Sequence, residues 1–253
     1  MNRRLPTSTL FATLRAALAR VADPTKARAM QRYMKSTMPY LGVATPQLRV
    51  VCKEVFAAHP MPTAAAWRRD VLALWRGARH REERYGAIAL SGDRRARAFQ
   101  TPAVLPMYEE MIVTGAWWDY VDEIASHRLG ALLRSHPQPM RRAMRAWSRS
   151  PDLWKRRSAI LCQLGFKGDT DTKLLYACIE PSLASTEFFL RKAIGWALRQ
   201  YAWTNPQEVV RYVDTQSDRL CPLSRREALK NVTGRRSPTR AAKPMRESRR
   251  SPA

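Results

Sequence analysis

Acidic residues are scarce in this chain: 21 Asp and Glu stand against 45 Lys and Arg over 253 residues, a formal net charge of +24. So one-sided a surface costs self-repulsion, and it points to a polyanionic partner, because each phosphate neutralised by Lys or Arg releases counterions. Cysteines are few as well. Cys52, Cys162, Cys178 and Cys221 form no CxxC, and no histidine pair sits at ligand spacing, so no zinc site or other metal or cofactor is expected. The four thiols read as reduced core residues in a reducing compartment. No apolar run approaches the ~18 residues needed to cross a bilayer. The expected location is therefore cytoplasmic, in the space around a bacterial nucleoid, with no membrane partner. No carboxylate cluster suits a pair of magnesium ions, which argues against a nuclease. Period-two alternation flanked by turn residues is also missing, so no sheet is supported.

What remains is helical pattern. Hydrophobic residues make up 45% of the chain, which excludes global disorder. Prolines 24, 39, 46, 60, 62, 102, 137, 139, 151, 181, 206 and 222 fall between periodic runs and so punctuate helices. The pattern predicts helices near 8–21, 25–36, 46–58, 63–77, 80–91, 102–114, 117–134, 138–148, 152–164, 171–180, 186–201, 205–215 and 222–231. Residues 1–22 mix Arg with Leu and Ala, as transit peptides do. They read instead as a first amphipathic helix capped near Thr7 or Ser8, with Leu10, Leu14, Leu18 and Val21 on one stripe.

A faint repeat runs through the middle. Aligning Ala87-Ile88, Glu123-Ile124, Ala159-Ile160 and Ala193-Ile194 gives steps of 36, 36 and 34 residues, and Trp118 and Trp154 each stand five residues before an anchor. Two helices per mid-thirties period mark an α-solenoid of HEAT type, an all-α curved superhelix with a basic concave groove. Equivalent positions of successive second helices would line that groove and gather Asp122, Arg157 and Trp196. The domain expected over 1–232 gives way at 233–253 to a segment rich in Arg, Ser and Pro, which cannot bury a core and reads as a disordered basic tail.

Three segments carry the chemistry. In Trp117-Trp118-Asp119-Tyr120-Val121-Asp122, helical spacing sets Trp118 beside Asp122 on one face, with Trp117, Val121 and Ile124 on the core face. Asp119 reads as a helix cap or dipole partner. The second segment is Leu153-Trp154-Lys155-Arg156-Arg157-Ser158-Ala159-Ile160-Leu161. The third runs from Glu187-Phe188-Phe189 through Arg191-Lys192-Ala193-Ile194-Gly195-Trp196 to Arg199. With Tyr33-Met34-Lys35, Leu41-Gly42-Val43-Ala44-Thr45-Pro46 and Arg49, their order and wording resemble the AlkD-like DNA alkylation-repair glycosylases over roughly residues 8–232.

The resemblance implies a HEAT-like stack that cups duplex DNA as a monomer. It also implies hydrolysis of the N-glycosidic bond of cationic alkylpurines such as 3-methyladenine and 7-methylguanine, a base-excision repair reaction that leaves the lesion in the duplex. The family's catalytic aspartate falls on Asp122, its site tryptophans on Trp118 and Trp196, and its arginine on Arg157, with Arg156 the neighbouring alternative. Tyr33 is carried over as a groove residue, and Arg191 and Lys192 as phosphate contacts.

The chemistry is consistent with one carboxylate. A cationic base leaves neutral and needs no proton donor, unlike the leaving group of ordinary glycosidases. Asp122 would stabilise the oxocarbenium-like sugar and orient water. Trp118 and Trp196 would offer π faces to the cation, and Arg157 would grip a backbone phosphate. No lysine occupies the site positions, so no Schiff-base lyase step is expected. The alternative is a non-catalytic HEAT-like scaffold that binds DNA, RNA or acidic proteins.

Overall fold

Proline and short capping side chains decide where most helices begin. Asp23 accepts the N–H groups of Thr25 and Lys26 at 3.0 Å, and Pro24 opens the helix behind it. Thr63, Asp152, Asp171 and Asn205 cap later helices in the same manner. Cys221 does so through its sulfur, which accepts from Ser224 N–H at 3.4 Å. That thiol is thus a cap at a half-buried position, a correction to the expectation of a core residue, whereas Cys52, Cys162 and Cys178 are buried.

The structure, a computed structural model, describes residues 9–232. The cap at Thr7 or Ser8 and the tail at 233–253 lie outside the described residues. Among the described residues there are fourteen α-helices and no strand. After α1 (Thr9–Arg20), α2 (Pro24–Met34) and α3 (Thr45–Ala57), the helices run in antiparallel pairs. These are α4 (Ala64–Gly77) with α5 (Arg81–Ser91), and α6 (Leu105–Gly115) with α7 (Trp118–Glu123) and α8 (Gly130–Ser135). Next come α9 (Pro137–Trp147) with α10 (Leu153–Leu161), α11 (Thr172–Ile179) with α12 (Phe188–Ala202), and α13 (Pro206–Thr215) with α14 (Pro222–Leu229). Second helices pack on one another in chain order, α5 on α7, α7 on α10, α10 on α12 and α12 on α14. The result is the all-α, solenoid-like stack that the repeat predicts. None of these helices is long and apolar enough to cross a membrane.

The sequence-based boundaries shift in three places. Residues 117–134 form one rod, but α7 and α8 are joined by a π-helical stretch, Ile124–Leu129. The run predicted at 102–114 opens with a 3₁₀ turn, Pro102–Val104, because prolines at 102 and 106 remove two backbone donors. A further 3₁₀ turn, Arg94–Phe99, was not expected.

Two hydrophobic clusters fill the stack. The first reaches from Leu10 to Cys178 and includes Trp67, Trp75, Tyr108, Tyr120, Val121 and Ile124, all essentially buried. The second gathers Ala125, Ile160, Leu161, Ile194 and Leu198 with residues as far as Ala228. Leu153 packs against both, so α7 and α10 meet at the seam between them. Two glycines are required by close approach. Gly42 has φ +84°, and a Cβ there would lie 2.0 Å from the Asp23 carbonyl. A Cβ on Gly195 would lie 2.4 Å from the Glu227 Cβ, which is how closely α12 crosses α14. Gly195→Ala is therefore expected to cost about 1–3 kcal/mol through overpacking and to lower Tm by several degrees. An unchanged melting curve would mean that α14 yields freely.

Candidate functional site

The chain turns from α6 into α7 in two residues. Ala116 takes the left-handed conformation (φ 44°), a strained setting for a residue with a Cβ, and Trp117 is extended. Trp117 therefore precedes the helix rather than sitting within it. Its indole is half-buried and packs on Phe189 (5.6 Å between centroids) and Trp154 (6.4 Å). Val121 and Ile124 point into the core, as their spacing predicts.

Two arginine forks then hold α7. Arg81 of α5 donates from Nη2 to both oxygens of Asp119 (2.6 and 2.7 Å), and the Tyr85 hydroxyl donates to the same carboxylate at 2.5 Å. The Arg81 guanidinium lies 4.1 Å from the centre of the Tyr120 ring and 5.5 Å from that of Tyr40. Asp119 stands in the first turn of α7, where a negative charge favours the helix dipole. Its side chain serves chiefly as this tie to α5, which the sequence did not disclose.

The second fork is on Asp122. The Asp152 cap starts α10 so that Arg157 projects back to α7, donating from Nε to Oδ1 at 2.7 Å and from Nη2 to Oδ2 at 2.8 Å. Nη1 donates to the Phe189 carbonyl at the start of α12. Three consecutive second helices thus converge on one guanidinium. Both side chains are buried, with 5% of Arg157 and 12% of Asp122 exposed. Burial raises the Asp122 pKa above the usual carboxylate value, Arg157 opposes that by hydrogen bonding and charge, and nearby Asp119 adds to the rise. A carboxylate offers about four lone-pair directions. Two are engaged by the fork, which leaves the others for water or a reacting group.

Trp118, half-buried on the neighbouring face of α7, lines a cavity of about 460 Å³ between α7 and the N-terminal helices. Tyr33, Met34, Arg49, Tyr85 and Asp119 complete much of its wall, and Asp122 is not among the residues that line it. Tyr33 is 78% exposed at the mouth. Trp196 is more remote: it lies seven residues along α12 from Phe189, ~10 Å of helix rise, half-buried against the second core. Asp122 and Arg157 are brought together as the repeat suggests, whereas Phe189, through its carbonyl and ring, is the α12 residue that touches the pair.

The basic candidates separate. Lys192 pairs with Glu227 at 3.1 Å toward α14, and Arg191 donates to the Ser185 carbonyl at 2.8 Å. Arg156 has its Nε buried without a hydrogen-bond partner. Two histidines have local partners: His127 lies beside Glu123 (3.3 Å) and Ser126, and His136 beside the Gln100 carbonyl (3.2 Å). No group of three or more His, Cys, Asp or Glu side chains placed to hold a metal occurs among the described residues.

The family model for DNA alkylation repair enzymes matches residues 14–232. The chain belongs to the DNA alkylation repair enzyme family. A solved structure, described as a predicted DNA alkylation repair enzyme from Enterococcus faecalis, is similar to it with a TM-score of 0.69 and 29% identity, covering 83% of this chain and 95% of that one. A comparison with curated protein sequences finds no match. Membership in the DNA alkylation repair family makes DNA the substrate class and accounts for the +24 charge. Within the family match fall both arginine forks, the Trp118 cavity and the whole row of second helices.

Proposed function

We propose that this enzyme is a monofunctional DNA glycosylase that hydrolyses the N-glycosidic bond of cationic alkylpurines, 3-methyladenine and 7-methylguanine among them, in duplex DNA. The observation that carries the reading is Asp122: a buried carboxylate, held by a two-pronged arginine, beside an indole that faces a cavity. As the cationic base departs neutral, positive charge grows on the sugar, and a fixed anion in a water-poor site stabilises it without reorganising. The free lone pairs of Asp122 would orient the attacking water. Trp118 offers its ring face to the developing cation. Arg157 fixes the carboxylate, and its remaining N–H groups are available to a phosphate of the strand being cut. Trp196 and Tyr33 would contact DNA on either side of the reacting sugar, with Arg156 supplementing the charge. Arg191 and Lys192 are assigned a lesser share, since both are engaged within the protein.

The paired geometry also admits a structural role for Asp122 in a non-catalytic DNA-binding scaffold. Methylated duplex DNA incubated with the enzyme in EDTA separates the two. Release of free 7-methylguanine or 3-methyladenine, undiminished by the chelator, is the expected outcome. Tight, salt-sensitive binding with no release of either base would support the scaffold.

A further inference from the structure

The wall of the 460 Å³ cavity combines aromatic side chains with two carboxylates and an arginine, and its volume falls within the ~300–1,000 Å³ of ligand pockets. Most of its polar atoms are already engaged. The Tyr40 and Tyr85 hydroxyls share a hydrogen bond at 3.0 Å, and Tyr85 donates on to Asp119, so these two residues offer the cavity ring surface. Asp119 is further held by the Arg81 fork. Glu123 differs. Its nearest basic neighbours, His127 and Arg128, stand at 3.3 and 3.6 Å, it accepts no hydrogen bond among the described residues, and 45% of its side chain is exposed. Arg128, which also lines the cavity, is fixed by Nη2 on the Ile88 carbonyl (3.2 Å), with Nη1 making no hydrogen bond among the described residues.

A carboxylate with accepting capacity, an arginine and aromatic rings in one cavity are the groups that read guanine, since bases are held by hydrogen bonds to their Watson–Crick edge and by stacking. That edge of guanine carries N1–H and N2–H₂ side by side, two donors for two carboxylate oxygens, and O6 accepts from a guanidinium. An alkyl group at N7 leaves all three atoms in place. Adenine presents one amino donor beside an acceptor nitrogen, which a carboxylate repels. The cavity is also close to the reacting sugar of the proposed reaction. Trp118 stands one turn before Asp122 on α7, ~6 Å of helix rise, and Glu123 follows Asp122 directly.

We propose that this cavity takes up the 7-alkylguanine released from the DNA, its Watson–Crick edge on Glu123, its O6 on Arg128 and its ring against Trp118. The inference rests on the glycosylase reading of Asp122. It requires no extrusion of the lesion before cleavage, because the base is free once the bond to the sugar breaks and leaves its electron pair on N9.

The test is equilibrium dialysis of the full-length protein, without DNA, against labelled free 7-methylguanine and free 3-methyladenine. The wild type is expected to bind 7-methylguanine about tenfold more tightly, the lower part of what a bidentate contact contributes to discrimination between bases. Glu123→Gln puts an amino group where the base needs a second acceptor, and it abolishes the preference. Glu123→Asp keeps both oxygens on a shorter arm and retains part of it. Equal binding of the two bases, no binding of 7-methylguanine, or a preference that survives Glu123→Gln would each overturn the proposal. Base release from methylated duplex is followed in parallel: release with no uptake of the free base removes the cavity assignment alone, and selective uptake without release removes the glycosylase reading.

Discussion

Asp122→Asn is expected to slow single-turnover release of methylated base by about 10²–10³-fold, the usual consequence of deleting one preorganised electrostatic contact to a transition state. Duplex affinity should change little, because Asp122 contributes no positive charge to phosphate binding. The amide still offers one oxygen to the Arg157 fork, but its NH₂ now faces a guanidinium N–H across what was a 2.7–2.8 Å contact. With Arg157 only 5% exposed, the variant should also lose about 3 kcal/mol of stability, the lower end for breaking a buried pair. Rates are therefore compared well below the variant's own melting temperature. Release at the wild-type rate would make Asp122 a structural anion and nothing more.

The ion pairs show how much of this was legible. Arg76–Glu110, Asp122–Arg157, Arg134–Asp169 and Lys192–Glu227 are separated by 34, 35, 35 and 35 residues, and Arg81–Asp119 by 38. The hydrophobic anchors recur at 34–36 residues, close to the first four separations, so each of those pairs ties one repeat to the next. The sequence-derived period thus came within a residue of the Asp122–Arg157 contact, and it could have disclosed Lys192–Glu227 had charges been aligned as the apolar residues were, whereas Arg81–Asp119, at 38, falls outside it. It could not rank them. Arg76–Glu110 and Arg134–Asp169 are substantially exposed, and such pairs contribute little to stability. Only the two rungs that end on α7 are buried at both partners. Burial depends on how helices from two cores meet at the seam, which no local window encodes. The Phe189 carbonyl on Arg157 was equally hidden, since a backbone acceptor has no residue signature. Helix positions were more accessible because proline and capping residues act locally, while the π stretch at Ile124–Leu129 reflects packing against α10.

Arg157→Met separates the two roles open to this arginine. Removing the fork deletes both influences that lower the Asp122 pKa and leaves the desolvation that raises it. The acidic limb of the single-turnover pH–rate profile is then expected to move to higher pH than in the wild type. Stability follows the same sign. A carboxylate whose folded pKa is raised above its unfolded value favours folding only while protonated, and that contribution is lost as pH rises through the folded pKa. The variant should consequently be least stable relative to wild type near neutrality, by about 3–5 kcal/mol for a buried charge left unpaired, and should recover part of the deficit on acidification. Arg157→Lys keeps the charge without the two-pronged geometry and should fall between. If Arg157→Met instead lowers release equally at every pH and weakens duplex binding, with the limb unmoved, the arginine acts on the DNA backbone directly. Asp122 would then owe its ionised state to solvent reaching its exposed edge.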